Sequence, residues 1–389
     1  MSDTSSDFWV TETFPNVLAE FSRALKRNAP GSDEQLLAWV KLGLVGHVKG
    51  QSSVAAKAIH RLMRKLHAAR HELWGGMFSP AGSAIVHFKM AVALAECPDS
   101  PRRDVLEMSG FFDEAARHHG IHPKAAPLAL LAINLRLGDL DGAAALFPVL
   151  HEWWLERNLE AEANEVGNGP DHASDEKKQE DSGPSMPVCG SGTAQILIEF
   201  LLAANRTDEA IAIADRILER KGCGSPCEAG PHGALGWMLN PLLDQGKADQ
   251  AERILPRCRL LAPTVDLRHV AAAGDRILFL GRIGRLDEAI SEWEKARKTL
   301  EQGGPSPWER LRLAGQMARA LPLIGPTLRD RSPESLASAT NLVTAGSGLA
   351  RKFDLRNGNS HVSEFWEALM KSVGIQHREP FACGEGSAL

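Results

Sequence analysis

Apolar residues recur along most of the chain at intervals of three, four and seven positions, the spacing that places them on one face of an α-helix. The alternating pattern of a half-buried β-strand is missing, and Gly, Pro and Asn interrupt the helical pattern at short intervals. Counting the segments between these breaks predicts about sixteen helices of roughly 12 to 20 residues each. The sequence therefore predicts an all-α protein in which antiparallel helix pairs stack on one another.

Local signals fix some of the predicted helix ends. Ser32 followed by Gln35 forms a capping box at the start of one helix, and Gly46 is expected to end that helix in a left-handed conformation. Ser332 followed by Pro333 predicts the start of another helix, because proline fits the first helical turn.

One interval, 158–192, departs from the helical pattern because it is rich in Glu, Asp, Gly, Ser and Pro. Between Glu152 and Asp181 there are ten acidic and three basic side chains. Such a composition predicts a disordered acidic linker or loop between two helical-repeat blocks at 1–157 and 193–389. The linker is interpreted either as an interaction or regulatory segment or as a tolerated surface insertion.

Four segments carry a Gly or Asn turn, an acidic residue and a small alanine in the same order. The alanines are Ala143, Ala210, Ala251 and Ala289, and the last three are separated by 41 and 38 residues. A small residue at this point lets the second helix of a pair approach the first closely. Repetition at this period predicts stacked helix-turn-helix units.

The run from Gly284 to Ala289, together with Trp293 and Ala296, resembles the second helix of a tetratricopeptide repeat, and Pro263 lies where such a repeat commonly ends. The resemblance implies an α-solenoid whose concave groove binds a protein or peptide. The corresponding function is that of a non-catalytic scaffold or adaptor.

The first helices of the repeats resemble the pentatricopeptide branch instead, because bulky pairs such as Leu130-Leu131 and Leu197-Ile198 replace the expected small residue. The run from Gly120 to Pro123 is also similar to that branch. This resemblance implies binding of single-stranded RNA in RNA processing or translation. Both branches remain open at this point.

Polar residues on the predicted first helices are candidates for lining the concave face: Asn134, Arg136, Asn240, Asp275 and Arg276. The alternative is that these side chains are ordinary solvated helix positions.

A second candidate surface is the basic helix from Val54 to Trp74, which carries Lys57, Arg61, Arg64 and Lys65 around an apolar face. Such a helix could bind an acidic partner, anionic lipid or RNA, or could be a repeat helix with a solvated face.

No catalytic motif is present: the sequence contains no GxxxxGK[ST], GxSxG or HExxH pattern. Cys223, Cys227 and His232 lie close together, but their spacing does not match the common zinc motifs and no fourth ligand follows. The sequence therefore predicts no metal, no cofactor and no enzymatic activity. An enzyme whose site is assembled only by folding is a third hypothesis.

No segment approaches the roughly 18 apolar residues of a membrane span. The N-terminus lacks the basic and apolar regions of a secretory signal, so a cytoplasmic location is expected, or an organelle under the pentatricopeptide hypothesis. The formal net charge of −5 argues against a globally basic nucleic-acid-binding protein. The oligomeric state is left open.

Overall fold

A computed structural model describes residues 13–29, 32–49, 51–69, 80–118, 124–167, 190–219, 230–260, 270–301 and 305–372. These ranges contain sixteen helices and no strand, which confirms the all-α prediction. The helices are α1 (Phe14–Arg27), α2 (Asp33–Val48), α3 (Ser52–Ala69), α4 (Pro80–Ala95), α5 (Arg102–His118), α6 (Ala125–Leu137), α7 (Leu140–Gly167), α8 (Gly190–Ala203), α9 (Thr207–Glu219), α10 (Gly230–Asp244), α11 (Ala248–Leu260), α12 (Val270–Arg282), α13 (Leu286–Glu301), α14 (Pro307–Arg331), α15 (Pro333–Asn357) and α16 (His361–Ser372).

Three helices are longer than the predicted range: α7 has 28 residues, and α14 and α15 have 25 each. Helix α7 continues to Gly167, so the first part of the 158–192 interval is helical rather than irregular. Residues 168–189 lie outside the described part of the chain. The division into two repeat blocks stays a prediction.

Helix starts follow the predicted caps, whereas one predicted helix end is wrong. The Ser32 hydroxyl accepts a hydrogen bond from the Gln35 N–H at 3.4 Å, and Ser332 caps α15 in the same way. Gly46 lies inside α2, which ends at Val48. A β-carbon added to Gly46 would lie 3.4 Å from that of Ala55, so this glycine allows α3 to pack closely.

The four repeat turns share one backbone geometry. Each turn residue has a positive φ angle, and each lies five residues before its alanine: Gly138 (67°), Asn205 (57°), Gly246 (74°) and Gly284 (78°). The alanines are 0% exposed: Ala143, Ala210, Ala251 and Ala289. In every turn the N–H after the turn residue bonds to a carbonyl five positions earlier, as in a Schellman cap. The predicted register of the four turns is therefore confirmed.

Most successive helices pack against each other, and the first helices of neighbouring pairs also pack in the order α6, α8, α10, α12 and α14. One apolar cluster runs from Phe112 on α5 to Met370 on α16. A second cluster joins α1 to α5 and includes Ile133 and Leu137 of α6. Helix α6 therefore contributes to both parts of the core.

The chain also makes a long-range return contact. The turn between α15 and α16 lies against the end of α4 and the end of α6, where Asn357 and Asn359 bond to the carbonyls of Arg136 and Leu137. The last helices are therefore tied to the first half of the array.

Candidate functional site

A central pocket of about 570 Å³ lies among the inner helices α6, α8, α10, α12 and α14, with α16 forming one wall. Its lining combines apolar, carboxamide and charged side chains. It includes Leu135, Leu202, Leu311, Leu369, Trp237, Trp308, Phe365, Trp366, Asn240, Gln316, Glu199, Asp244, Asp275, Glu364, Arg312 and Arg319. The volume lies within the range of sites for small ligands.

One side of the pocket is built on a buried ion-pair network centred on Glu199. The Glu199 carboxylate lies 3.0 Å from Nη1 of Arg136 and 3.2 Å from Nη1 of Arg312. Burial raises the pKa of Glu199, but the two arginines outweigh this effect and hold the pKa below its usual range. The Arg312 guanidinium also lies over the Trp237 ring, 4.2 Å from the ring centre. These contacts fix a charged and aromatic surface.

Asp275 is the carboxylate of α12 that faces the pocket. Its Oδ1 accepts a hydrogen bond from Nε2 of Gln316 at 2.5 Å, and its carbonyl accepts one from Nδ2 of Asn240 at 2.9 Å. Burial raises the pKa of Asp275 to about 7, although Arg312, Arg319 and Arg276 act in the opposite direction. Asp275 is therefore partly protonated near neutral pH, and its carboxyl group can donate or accept a hydrogen bond.

Several buried polar atoms on the pocket walls have no hydrogen-bond partner among the described residues. They are the acceptors Asn240 Oδ1 and Gln316 Oε1 and the donors Trp237 Nε1 and Trp366 Nε1. A buried polar atom without a partner costs about 1–3 kcal/mol. A ligand carrying both donors and acceptors could recover part of this cost after small side-chain rotations.

The structure brings together two of the five predicted concave-face residues: Asn240 and Asp275 both line the pocket. Arg136 lies directly behind the lining and pairs with Glu199. Arg276 points away from the pocket and donates a hydrogen bond at 3.0 Å to Glu292 of α13.

Asn134 lies at the end of α6, outside the pocket lining. Its carbonyl accepts a hydrogen bond from the Asp139 N–H in the α6–α7 turn. Asn134 therefore belongs to the α6–α7 turn rather than to the pocket.

The basic residues of α3 lie apart from the pocket. Lys57, Arg61 and Arg64 are exposed and Lys65 is half-buried. The Arg61 guanidinium lies 5.7 Å from the Trp39 ring centre. In the described ranges none of these four side chains forms an ion pair. They form a solvated basic stripe on α3.

The residues that sequence reasoning missed are Glu199, Arg312, Gln316 and the aromatic side chains of α10 and α16. Glu199 and Arg312 are 113 residues apart in the chain, so no local pattern joins them.

The expected absence of a metal site stays a prediction. Within the described ranges no group of three or more His, Cys, Asp or Glu side chains could hold a metal ion. Cys223, Cys227 and the His232 side chain lie outside the described residues.

The described helices include none that is both long and apolar enough to cross a membrane. Comparison with protein-family models, with curated proteins and with solved structures found no match.

Proposed function

We propose that this chain is a tetratricopeptide-like solenoid that acts as a non-catalytic adaptor and binds a short peptide in the central pocket. The repeated turns, the buried alanines and the packing of successive inner helices support the repeat architecture. The main support for this function is the pocket itself, which combines aromatic walls, two carboxamides and charges of both signs. Peptide bonds and side chains offer matching donors, acceptors and apolar groups.

The charges of the pocket favour a peptide over RNA. Four carboxylates line the described pocket (Glu199, Asp244, Asp275 and Glu364) against two guanidinium groups. One of these, Arg312, already pairs with Glu199. Asp244 pairs with Arg282 at 2.6 Å. RNA binding depends on cations that are free to neutralise phosphates, and this lining offers no excess of cations over carboxylates.

The dimensions of the pocket set the length of the peptide. The lining on α14 runs from Trp308 to Arg319, a distance of about 16 Å along the helix axis. An extended chain advances about 3.3 Å per residue, so about five residues fit along this wall. The pocket is therefore suited to a short linear segment rather than to a folded domain.

Two of the lining carboxylates are engaged in ion pairs, which supports a role in binding. Glu199 pairs with Arg136 and Arg312, and Asp244 pairs with Arg282. The carboxyl group of Asp275, whose pKa is raised, accepts a hydrogen bond from Gln316. This contact fixes its orientation, so that it can form a further hydrogen bond with a ligand.

Selection from a random pentapeptide library on the immobilised protein tests this proposal. Selected peptides are titrated while tryptophan fluorescence is recorded, because the chain has no tyrosine and Trp237, Trp308 and Trp366 line the pocket. Ala203→Trp, at an exposed lining position, should weaken binding at least about tenfold by filling the pocket. Ala212→Trp is the matched control, since Ala212 is exposed on α9 away from the lining.

Equal binding by both variants would place the peptide elsewhere and refute the proposed site. If no peptide is selected and single-stranded RNA binds with a steep dependence on salt, the pentatricopeptide-like function replaces the adaptor.

A further inference from the structure

An extensive polar contact between distant parts of the described chain centres on Arg356, at the end of α15. Its Nη1 donates to the carbonyl oxygens of Leu94 at 3.3 Å, Ala95 at 2.9 Å and Cys97 at 3.3 Å. Its Nη2 donates to the carbonyl of Arg136 at 3.0 Å. One guanidinium group thereby joins the ends of α4 and α6, where the carbonyls of the last helical turn favour a cation.

Neighbouring side chains extend this contact. Nδ2 of Asn357 donates to the Arg136 carbonyl at 3.3 Å, and Nδ2 of Asn359 donates to the Leu137 carbonyl at 3.0 Å. In return, Nη1 of Arg102 donates to the Asn357 carbonyl at 2.8 Å. We call Arg356, Asn357 and Asn359, with the carbonyls that they reach, the clasp.

The clasp differs from the other joints of the array in its chemistry. Neighbouring helix pairs are held by buried apolar side chains, which lose their favourable burial when they separate. The clasp consists of hydrogen bonds from side chains to carbonyl groups, and water can replace these bonds when the joint opens. It also connects segments 220 to 262 residues apart, so the chain's local connectivity does not hold it closed.

The clasp is linked directly to the central pocket. The turn ends at Ser360, and α16 then begins at His361, which lines the pocket. The Asp354 carboxylate accepts hydrogen bonds from the N–H groups of Val362 at 2.9 Å and Ser363 at 2.7 Å, which fixes the start of α16 to the end of α15. Movement of the turn therefore moves one wall of the pocket.

We propose that the clasp is a joint that opens the helical array and that its opening displaces the α16 wall and weakens ligand binding. The effect on binding rests on the proposed function, whereas the opening itself does not. By reciprocity, a ligand that prefers the closed pocket also stabilises the clasp.

Distance measurements between spin labels test the opening without a ligand. Gly110→Cys on α5 and Gly348→Cys on α15 provide exposed sites, because a β-carbon at either position meets nothing within 4 Å. Serine replaces Cys189, Cys223, Cys227 and Cys383, while Cys97 and Cys258 are 1% and 2% exposed and remain. Arg356→Ala is compared with Arg351→Ala, which removes an exposed arginine on the same helix.

Arg356→Ala should add a longer-distance population, whereas Arg351→Ala should leave the distribution narrow. Asn359→Ala removes one hydrogen bond at an exposed turn residue and should broaden the distribution less. Unchanged distances in Arg356→Ala would overturn the proposal. The proposal would also be overturned if Arg356→Ala and Asn359→Ala both lost helical circular dichroism together with the distance change. The clasp would then belong to the cooperative core.

The second measurement uses a selected pentapeptide. Its affinity should fall about fivefold or more in Arg356→Ala and remain unchanged in Arg351→Ala. If Arg356→Ala binds the peptide as tightly as the wild-type protein while its distance distribution is altered, the coupling between clasp and pocket is refuted. If no peptide binds the wild-type pocket, the proposed function fails, and the distances still decide whether the clasp opens.

Discussion

The contact between Trp366 and Gly346 permits a sharp test of how α16 is held. The Trp366 indole, on α16, is 3% exposed and lies against Gly346 of α15. A β-carbon at Gly346 would lie 2.5 Å from Cζ2 and 2.8 Å from Cζ3 of this ring, and closer still to Cη2. Carbon atoms in favourable contact are about 3.5–4.0 Å apart, so Gly346→Ala forces the ring or the helix to move.

The expected magnitude combines two opposing effects. Overpacking a buried site costs about 1–3 kcal/mol, and the rigid indole places this case near the upper end. Alanine is favoured over glycine in a helix interior by about 1 kcal/mol. The free energy of unfolding should therefore fall by about 2 kcal/mol in Gly346→Ala. Gly348, two residues later, is exposed with nothing within 4 Å of an added β-carbon, so Gly348→Ala should gain about 1 kcal/mol.

Urea unfolding followed by circular dichroism at 222 nm and by tryptophan fluorescence measures both variants. The difference between the two alanine variants should be about 3 kcal/mol, and helix propensity cancels in this comparison. Equal stability of Gly346→Ala and Gly348→Ala would show that Trp366 does not pack against α15 and would refute the described position of α16.

Three further changes test the repeat register, the buried acid and the ion-pair network. Ala289→Leu should lower the free energy of unfolding by about 1–3 kcal/mol, because Ala289 is 0% exposed between paired helices; an unchanged melting temperature contradicts this register. Burial raises the pKa of Asp275 from 3.8 to about 7, so between these two pH values the folded chain binds more protons than the unfolded chain. The free energy of unfolding therefore falls as the pH rises through this range. Asp275→Asn should make that decline shallower in urea titrations at several pH values, and an identical slope would exclude Asp275 as its source. Arg136→Met should lower the free energy of unfolding by about 3–5 kcal/mol in the same assay, because it removes a counter-charge from two buried carboxylates, Glu199 and Glu96. A smaller loss would mean that the remaining partners, Arg312 for Glu199 among them, balance these charges without Arg136.

The sequence predicted those features of the fold that depend on short stretches of chain. The Ser32 and Ser332 caps and the four repeat turns follow from residues a few positions apart, and each is present. Gly46 was wrongly expected to end α2, because glycine serves both helix ends and close helix packing, and only the position of Ala55 distinguishes the two.

The clasp and the ion-pair network could not be predicted in this way. The clasp joins residues more than 200 positions apart, and its acceptors are main-chain carbonyls, which every residue possesses. Nothing in the sequence distinguishes Arg356 from any other charged residue near a helix end. Only the folding of the chain brings it to α4 and α6.

The pocket lining, in contrast, contains a signal that the repeat register could have exposed. Glu199 and Asn240 each lie six residues before their turn residues, and Trp237 and Asp275 each lie nine residues before theirs. Each of these two positions therefore supplies the pocket from two of the four repeats. Arg276 follows Asp275 directly, and a rotation of about 100° per residue turns it toward α13, where Glu292 neutralises it. Polarity alone makes Asp275 and Arg276 equal candidates for the concave face. Counting residues back from the turn separates them, because it assigns Asp275 to the pocket and Arg276 to the contact with α13.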